Sequence, residues 1–248
     1  MKKLITLILF LFTSQVSYSQ VTGGSAITAG TLSWKLGLGG GLLYGFSSGI
    51  LDCNCGYEFE SLEGPGFYAN VVSSMPLDHE SDLTFGIGYQ SLTISGTNEV
   101  EREKSVVGEP NPVLVNMESQ ADIDISSLYL TVGYKQKLPD GFFVSVGLDL
   151  HIVTNCQLVQ NETIKDDRFE FVGGETTGII YPKGDLKDYN NVQFNLKLRI
   201  GYDFVVNYKY LITPNVGFSY PFLKLTSSSS STANVMSLTF GVNISYIF

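Results

Sequence analysis

The chain has 248 residues, of which 44% are hydrophobic and 12% aromatic, with 26 glycines and 24 acidic against 15 basic side chains. A net charge of −9 with no basic cluster excludes a nucleic-acid binder, and the glycine and aromatic content is higher than an acidic soluble domain needs.

The N-terminus reads as a secretory leader. Lys2 and Lys3 precede an apolar run from Leu4 to Phe12, and Ser17-Tyr18-Ser19 forms a cleavage site before Gln20. Residues 1–19 are therefore expected to be removed, leaving 13 basic residues against 24 acidic ones, a net charge of −11. No cysteine directly follows the cleavage site, which argues against a lipoprotein anchor. The apolar run falls well short of the ~20 residues of a spanning helix, and no later stretch of that length is free of charge or glycine, so any membrane segment must be a strand.

Period-two alternation supplies such strands, in chain order. The first, Trp34 to Phe46, sets Leu36, Leu38, Leu42, Tyr44 and Phe46 against Lys35, Gly37, Gly39 and Gly41. The second, Phe67 to Met75, is weakly patterned. The third carries Leu83, Phe85, Ile87 and Tyr89, and the fourth Leu128, Leu130, Val132 and Tyr134 against Ser127, Tyr129, Thr131, Gly133 and Lys135. The fifth, Phe142 to Ile152, has Phe143, Ser145, Gly147, Asp149 and His151 on its polar side. The sixth, Val192 to Phe204, is the cleanest, with Gln193, Asn195, Lys197, Arg199, Gly201 and Asp203 facing away from the apolar row. The seventh runs Ile212 to Tyr220. The last, Met236 to Phe248, sets seven apolar residues against Ser237, Thr239, Gly241, Asn243 and Ser245 and stops on a terminal Phe, as a membrane-insertion strand with Tyr246 and Phe248 at its end would.

About eight strands is an even number, as single-chain bacterial barrels require. Short connections at 76–82, 138–141 and 205–209 alternate with long ones at 47–66, 95–122, 153–191 and 221–234. Because such barrels have short periplasmic turns and longer outer loops, both termini are expected on the periplasmic side. Aromatic residues gather at strand ends, at headgroup level. The expectation is one all-β domain over residues 20–248: a transmembrane, antiparallel, up-and-down barrel in an outer membrane, against the plainer alternative of a soluble β-barrel or sandwich whose apolar face is its core.

Several pieces of the chain resemble the outer-membrane β-barrels of Bacteroidota, the PorT-like group, and more loosely the small OmpX/OmpA-type barrels. These are the leader ending Ser17-Tyr18-Ser19-Gln20, the stretch Leu36-Gly37-Leu38-Gly39-Gly40-Gly41, the pieces Phe85-Gly86-Ile87-Gly88-Tyr89 and Val132-Gly133-Tyr134, and the ending Ile244-Ser245-Tyr246-Ile247-Phe248. The resemblance covers nearly the whole mature chain as a pattern. It implies location and fold, and it carries over no functional residue.

The candidate site is the barrel interior, which at eight strands is just wide enough for side chains to fill. Lys35, Lys135, Asp149, His151, Lys197, Arg199 and Asp203 lie on polar faces and are expected to form a paired network, since isolated charges in so narrow a tube are not tolerated. Antiparallel pairing of the fifth and sixth strands would bring Asp149 near Lys197 and His151 near Asn195, with the register free to shift by a residue pair. The alternative use of that network is a proton or ligand path. His151 beside Asp149 also invites a catalytic reading, for which Thr154 is the nearest nucleophile, but no Ser or Thr is convincingly placed by spacing.

Cys53, Cys55 and Cys156 allow one disulfide between Cys156 and either of the other two. A metal site at Cys53/Cys55 lacks four ligands, and no cofactor is expected. The long connections are acidic, with Glu99, Glu101, Glu103, Glu109 and Glu118 in one and Glu162, Asp166, Asp167, Glu170 and Glu175 in another. They match no calcium-loop pattern, so solvation leads, followed by a protein partner and by cations bridging lipopolysaccharide. The expected partners are outer-membrane lipid and lipopolysaccharide, the barrel-assembly machinery through the C-terminal strand, and a protein at the outer loops. The leading functional reading is a non-enzymatic barrel with a filled lumen. A narrow pore or accessory barrel of a transport or secretion system comes second and a lipid-modifying enzyme third.

Overall fold

The computed structural model describes residues 33–52, 58–171, 174–227 and 231–248. The leader, Cys53 and Cys55 lie outside the described residues. Eight long strands follow one another along the chain: β1 (Lys35–Ser48), β2 (Glu63–Pro76), β3 (Ser81–Lys104), β4 (Val113–Lys137), β5 (Phe142–Ile164), β6 (Val192–Tyr202), β7 (Tyr210–Pro221) and β8 (Asn234–Ile247). Each pairs antiparallel with its sequence neighbour, and β8 pairs back onto β1 from Lys35↔Ile247 to Ser48↔Asn234. The sheet is therefore closed and has no open edge, which is the condition for strands to cross a bilayer with every backbone group satisfied.

Alternation sorts the side chains as the sequence implies. Leu36, Leu38, Phe85, Ile87, Leu128, Leu130, Val132, Val144, Val146, Leu148, Leu198, Ile200, Val242 and Ile244 all face outward and exposed. On β5 this belt runs from Phe142 to Ile152, the ~9–11 residues that a tilted strand needs to cross a hydrocarbon core. Two aromatic girdles bound it. At the end of the short turns, Phe142, Tyr202 and Phe204 stack at 4.9 and 4.3 Å, and Tyr246 packs on Tyr210 and Phe248 at 5.6 and 5.0 Å. At the opposite end Phe46 stacks on Phe218 and Phe67 on Tyr89. An apolar belt of membrane height between two aromatic rings makes the sheet a transmembrane β-barrel rather than a soluble one.

Belt residues should respond to charge by depth. Leu130→Arg sets a guanidinium at mid-height and is expected to cost about 2–4 kcal/mol in equilibrium unfolding from lipid vesicles. A change within about 0.5 kcal/mol, as at an ordinary surface site, would contradict the belt.

Two boundaries differ from the sequence reading. Residues 95–122 are not a loop: β3 and β4 stay paired out to Lys104↔Val113 and leave only 105–112 as a tip. Much of 153–191 is likewise strand, because β5 continues to Ile164 and a further strand, Thr177–Asp185, folds back against it. The result is a β-tower standing beyond the belt, with Val115, Met117 and Ile164 buried on its concave side. At the turn end, the sixth strand breaks at Asp203, and Phe204–Val206 forms a separate short strand that pairs with the start of β7.

Candidate functional site

The lumen has two unlike halves. At the loop end it is filled by apolar side chains. Leu43, Leu92, Ile94, Ile123, Ile125, Cys156 and Leu158 come from strand interiors, while Leu51, Phe59, Leu62, Leu186, Leu225 and Ala233 come from the connections, and all are buried in one cluster. Hydrogen bonds tie those connections down over the mouth: Ser47 N donates to Leu62 O, Leu225 N to Ala233 O, and Thr232 N to Ile50 O. The outer connections thus form an apolar plug. Cys156 sits buried within it, without a disulfide partner among the described residues.

Below the plug two tyrosines fill the bore. Tyr68 and Tyr129 point inward against glycines on facing strands; a Cβ at Gly88 would meet Tyr129 Cζ at 2.5 Å, and one at Gly241 would collide with the Tyr68 hydroxyl. Glycines on the inner wall are therefore room made for rings.

The turn-end half is charged, and the residues anticipated from alternation do converge there. Lys197 Nζ lies 2.9 Å from Asp149 Oδ2, Lys135 Nζ lies 2.6 Å from Asp203 Oδ2, and Lys35 Nζ lies 2.7 Å from Asp82 Oδ2. Lys137 adds a 2.8 Å pair to the other Asp82 oxygen. Thr131 donates to Asp149, and Thr213 Oγ1 donates to Asp203 at 2.9 Å. Lys135 and Lys197 also lie over the rings of Phe143 and Tyr129. Asp82 is the residue the sequence reading missed. It stands one residue inside the start of β3, where it had been assigned to a turn, yet it is fully buried between two lysines.

Arg199 joins none of these pairs. Tyr246 and Phe248 lie on the outer surface of the turn-end girdle, and Phe248 N donates to Trp34 O at 2.9 Å.

The β5/β6 register is shifted from the anticipated one. Asp149 lies opposite Asn195 and His151 opposite Gln193, so the Asp149–Lys197 pair forms on the diagonal. A β-bulge opposite Ser126 and Ser127 also flips the facing of β5: Val153 points inward, and from Cys156 on it is the even-numbered residues that do. Thr154 sits on this bulge with its hydroxyl donated to Ser126 O at 3.1 Å on the exposed side, away from His151.

The hydroxyl that does reach the imidazole is Ser127 Oγ, 3.1 Å from His151 Nδ1, with Asp149 Oδ2 3.9 Å from Nε2. Ser127, His151 and Asp149 are 1%, 3% and 1% exposed, and Asp149 is already held by Thr131 and Lys197. The imidazole packs against the Tyr129 ring, with the ring centroids 5.3 Å apart.

Above the belt the chemistry is acidic. Glu99, Glu101 and Glu103 alternate along the exposed face of β3, and Glu118 lies directly opposite Glu99. Like charges facing each other across strands are unfavourable, and Lys165, 2.5 Å from Glu118, offsets part of this. In the tower's outer connection, Arg168 donates to both oxygens of Asp166 and holds that carboxyl at about 2. A depressed carboxyl contributes stability that is present above about 3.8 and is lost as pH falls through about 2. Arg168→Gln is expected to return the Asp166 titration to the ordinary carboxylate range in a carboxyl-carbon NMR titration, and an unchanged midpoint would remove the pair as the cause. Among the described residues no group of three or more His, Cys, Asp or Glu is placed to hold a metal ion.

Closure, belt and filled bore define the class: a small transmembrane β-barrel. No protein-family model and no curated protein matches the sequence. Among solved structures, the chain is similar to Neisserial surface protein A, at 12% identity over 87% of this chain and 97% of that one, with a TM-score of 0.41. It is similar to outer membrane protein AlkL at 11% identity over 92% and 96%, with a TM-score of 0.43. It is also similar to the outer membrane protease OmpT from Escherichia coli at 11% identity over 89% and 100%, with a TM-score of 0.36.

Proposed function

We propose that this is a non-enzymatic barrel of a bacterial outer membrane, inserted with its termini and short turns toward the periplasm, whose lumen passes no solute and whose outer tower and loops bind a partner. The observation that carries the reading is the double closure of the bore, by an apolar plug at the loop end and by paired charges around Tyr68 and Tyr129 below it. The leader read from the sequence, the closed sheet and the apolar belt support an outer-membrane location. Burial of Ser127, His151 and Asp149 leaves a substrate no approach to the only Ser–His–Asp grouping in the wall among the described residues, which supports a role without catalysis. The acidic face of the tower, with Glu99, Glu101 and Glu103 exposed in a row, suits a basic protein surface or cations held by lipopolysaccharide.

Purified protein in a planar bilayer is expected to give a flat current trace under applied voltage. Sustained openings of defined size would move the assignment to a narrow pore or an accessory barrel of a transport system.

A further inference from the structure

The charged half of the lumen does not balance. Lys35, Lys135, Lys137, Lys197 and Arg199 face three carboxylates, Asp82, Asp149 and Asp203. The lysines are all paired, two of them on Asp82, while the Arg199 guanidinium has no hydrogen-bond or ion-pair partner among the described residues.

Arg199 lines a cavity of about 50 Å³ at the turn end of the bore, and Lys35 and Lys135 line the same space. That is more room than a single water requires. Ser74, Ser145 and Ser245 also face it, the last two 9% and 7% exposed. None of these three hydroxyls has a hydrogen-bond partner among the described residues, and Ser74 Oγ is buried without one. The two lysines each spend one charged contact on a carboxylate, on Asp82 and Asp203, and an ammonium carries three donors. The cavity therefore presents a free guanidinium, spare ammonium N–H groups and three hydroxyls able to donate, against one unpartnered acceptor, Asn243 Oδ1, inside the bore. An uncompensated charge in such a place is costly. A counter-ion is the arrangement that satisfies donors and charge together.

We infer that the turn-end chamber of the lumen, built by Arg199, Lys35, Lys135 and the hydroxyls of Ser74, Ser145 and Ser245, is a binding site for a small inorganic anion. Its ligand class runs from a halide to a tetrahedral oxyanion. The site is a blind chamber, because the tyrosines and the plug close the bore beyond it. Its blind end rests on the closed bore proposed above, and its anion chemistry does not depend on what the tower binds.

The test uses the refolded mature barrel in zwitterionic micelles, first in sodium gluconate, an anion too bulky for the chamber. Inorganic phosphate, and separately chloride, is then titrated in at constant ionic strength while thermal unfolding is followed. At least one of the two is expected to raise the midpoint saturably, and Arg199→Gln is expected to weaken that response roughly ten- to a hundredfold, as loss of a charged donor does. Because Arg199 has no protein partner, the variant should fold. In gluconate it should unfold at the same or a higher temperature than the parent, so that the order of the two proteins reverses when the anion is added. A midpoint indifferent to both anions, or an equal response from Arg199→Gln, would overturn the site. So would a variant less stable than the parent in gluconate, because Arg199 would then be serving the fold without an anion.

Discussion

Asp82→Ala should be the most damaging single substitution in the charged half of the lumen, with an expected loss of about 3–5 kcal/mol. The carboxylate is fully buried and accepts one lysine on each oxygen, Lys35 at 2.7 Å and Lys137 at 2.8 Å. Those lysines come from strands on either side of β3, because β2 lies between β1 and β3, and β4 pairs with β3 at the turn end. One side chain thus ties β3 to β4 and, across β2, to β1. Its removal leaves two ammonium groups, 14% and 28% exposed, with no counter-charge and one hydrogen-bonding anchor fewer. The measurement is urea unfolding of the barrel in vesicles, followed by tryptophan fluorescence of Trp34. The triple variant Asp82→Ala, Lys35→Met, Lys137→Met is the control. It removes the stranded charges along with their partner and should recover a large part of the loss, since a matched apolar replacement of a buried pair is often neutral. If the single variant unfolds within about 1 kcal/mol of the parent, Asp82 is no more than an ordinary surface pair.

The reason Asp82 escaped the sequence reading is instructive about what patterning can carry. Alternation identified the inward faces wherever an apolar row ran opposite a polar one, so Lys35, Lys135, Asp149, Lys197, Arg199 and Asp203 could be placed in the bore, and in the structure each of them lies there. Asp82 falls at the first turn-end position of β3, where two residues are too few to show a period, and a Pro-Leu-Asp-His-Glu-Ser-Asp stretch reads as turn. The tower escaped for a related reason. Within 95–122, glutamates stand at 99, 101, 103, 109 and 118, and the sequence signal for an outer loop is the same polarity; only pairing with the opposite strand distinguishes the two.

The bulge at Thr154 was invisible because it is defined by the partner strand. The sequence reading ended the fifth strand at Ile152 and took 153–191 as a connection, so it assigned no facing to Cys156 and Leu158, which turn inward. Ser127 was overlooked as a neighbour of His151 because contact across β4 and β5 depends on register. The β5/β6 register itself could slip by a pair because a long connection sets no phase. The plug was the largest omission. Leu51, Phe59, Leu62, Leu186 and Leu225 stand singly in connections, Leu51 and Phe59 in two-residue strands that pair with each other, with neither a period of 2 nor one of 3.6 to mark them, and they become a core only once eight strands bring their three connections together.

That origin makes the plug separable from the barrel. Its connection residues are held by burial and by a few backbone hydrogen bonds, whereas the strands beneath are held by a continuous closed ladder, so the two should unfold as different cooperative units. Leu225→Asp tests this most sharply. Leu225 is 2% exposed, and its backbone pairs with Ala233 and Asn190. The substitution removes a packed side chain worth about 2–5 kcal/mol on truncation and sets a carboxylate in an apolar cluster. The connections at 49–62 and 222–233 are expected to open while the β1–β8 ring stays closed. Limited proteolysis of the membrane-embedded protein should then cut within those two segments in the variant and leave the parent intact over the same time. The urea midpoint reported by Trp34, which sits at the opposite end, should move little. Bilayer current should stay flat, because Tyr68, Tyr129 and the charge pairs still fill the bore below the opened mouth. Global loss of the barrel would show that plug and wall fold as one unit, and a conducting Leu225→Asp variant would show that the plug alone is the seal.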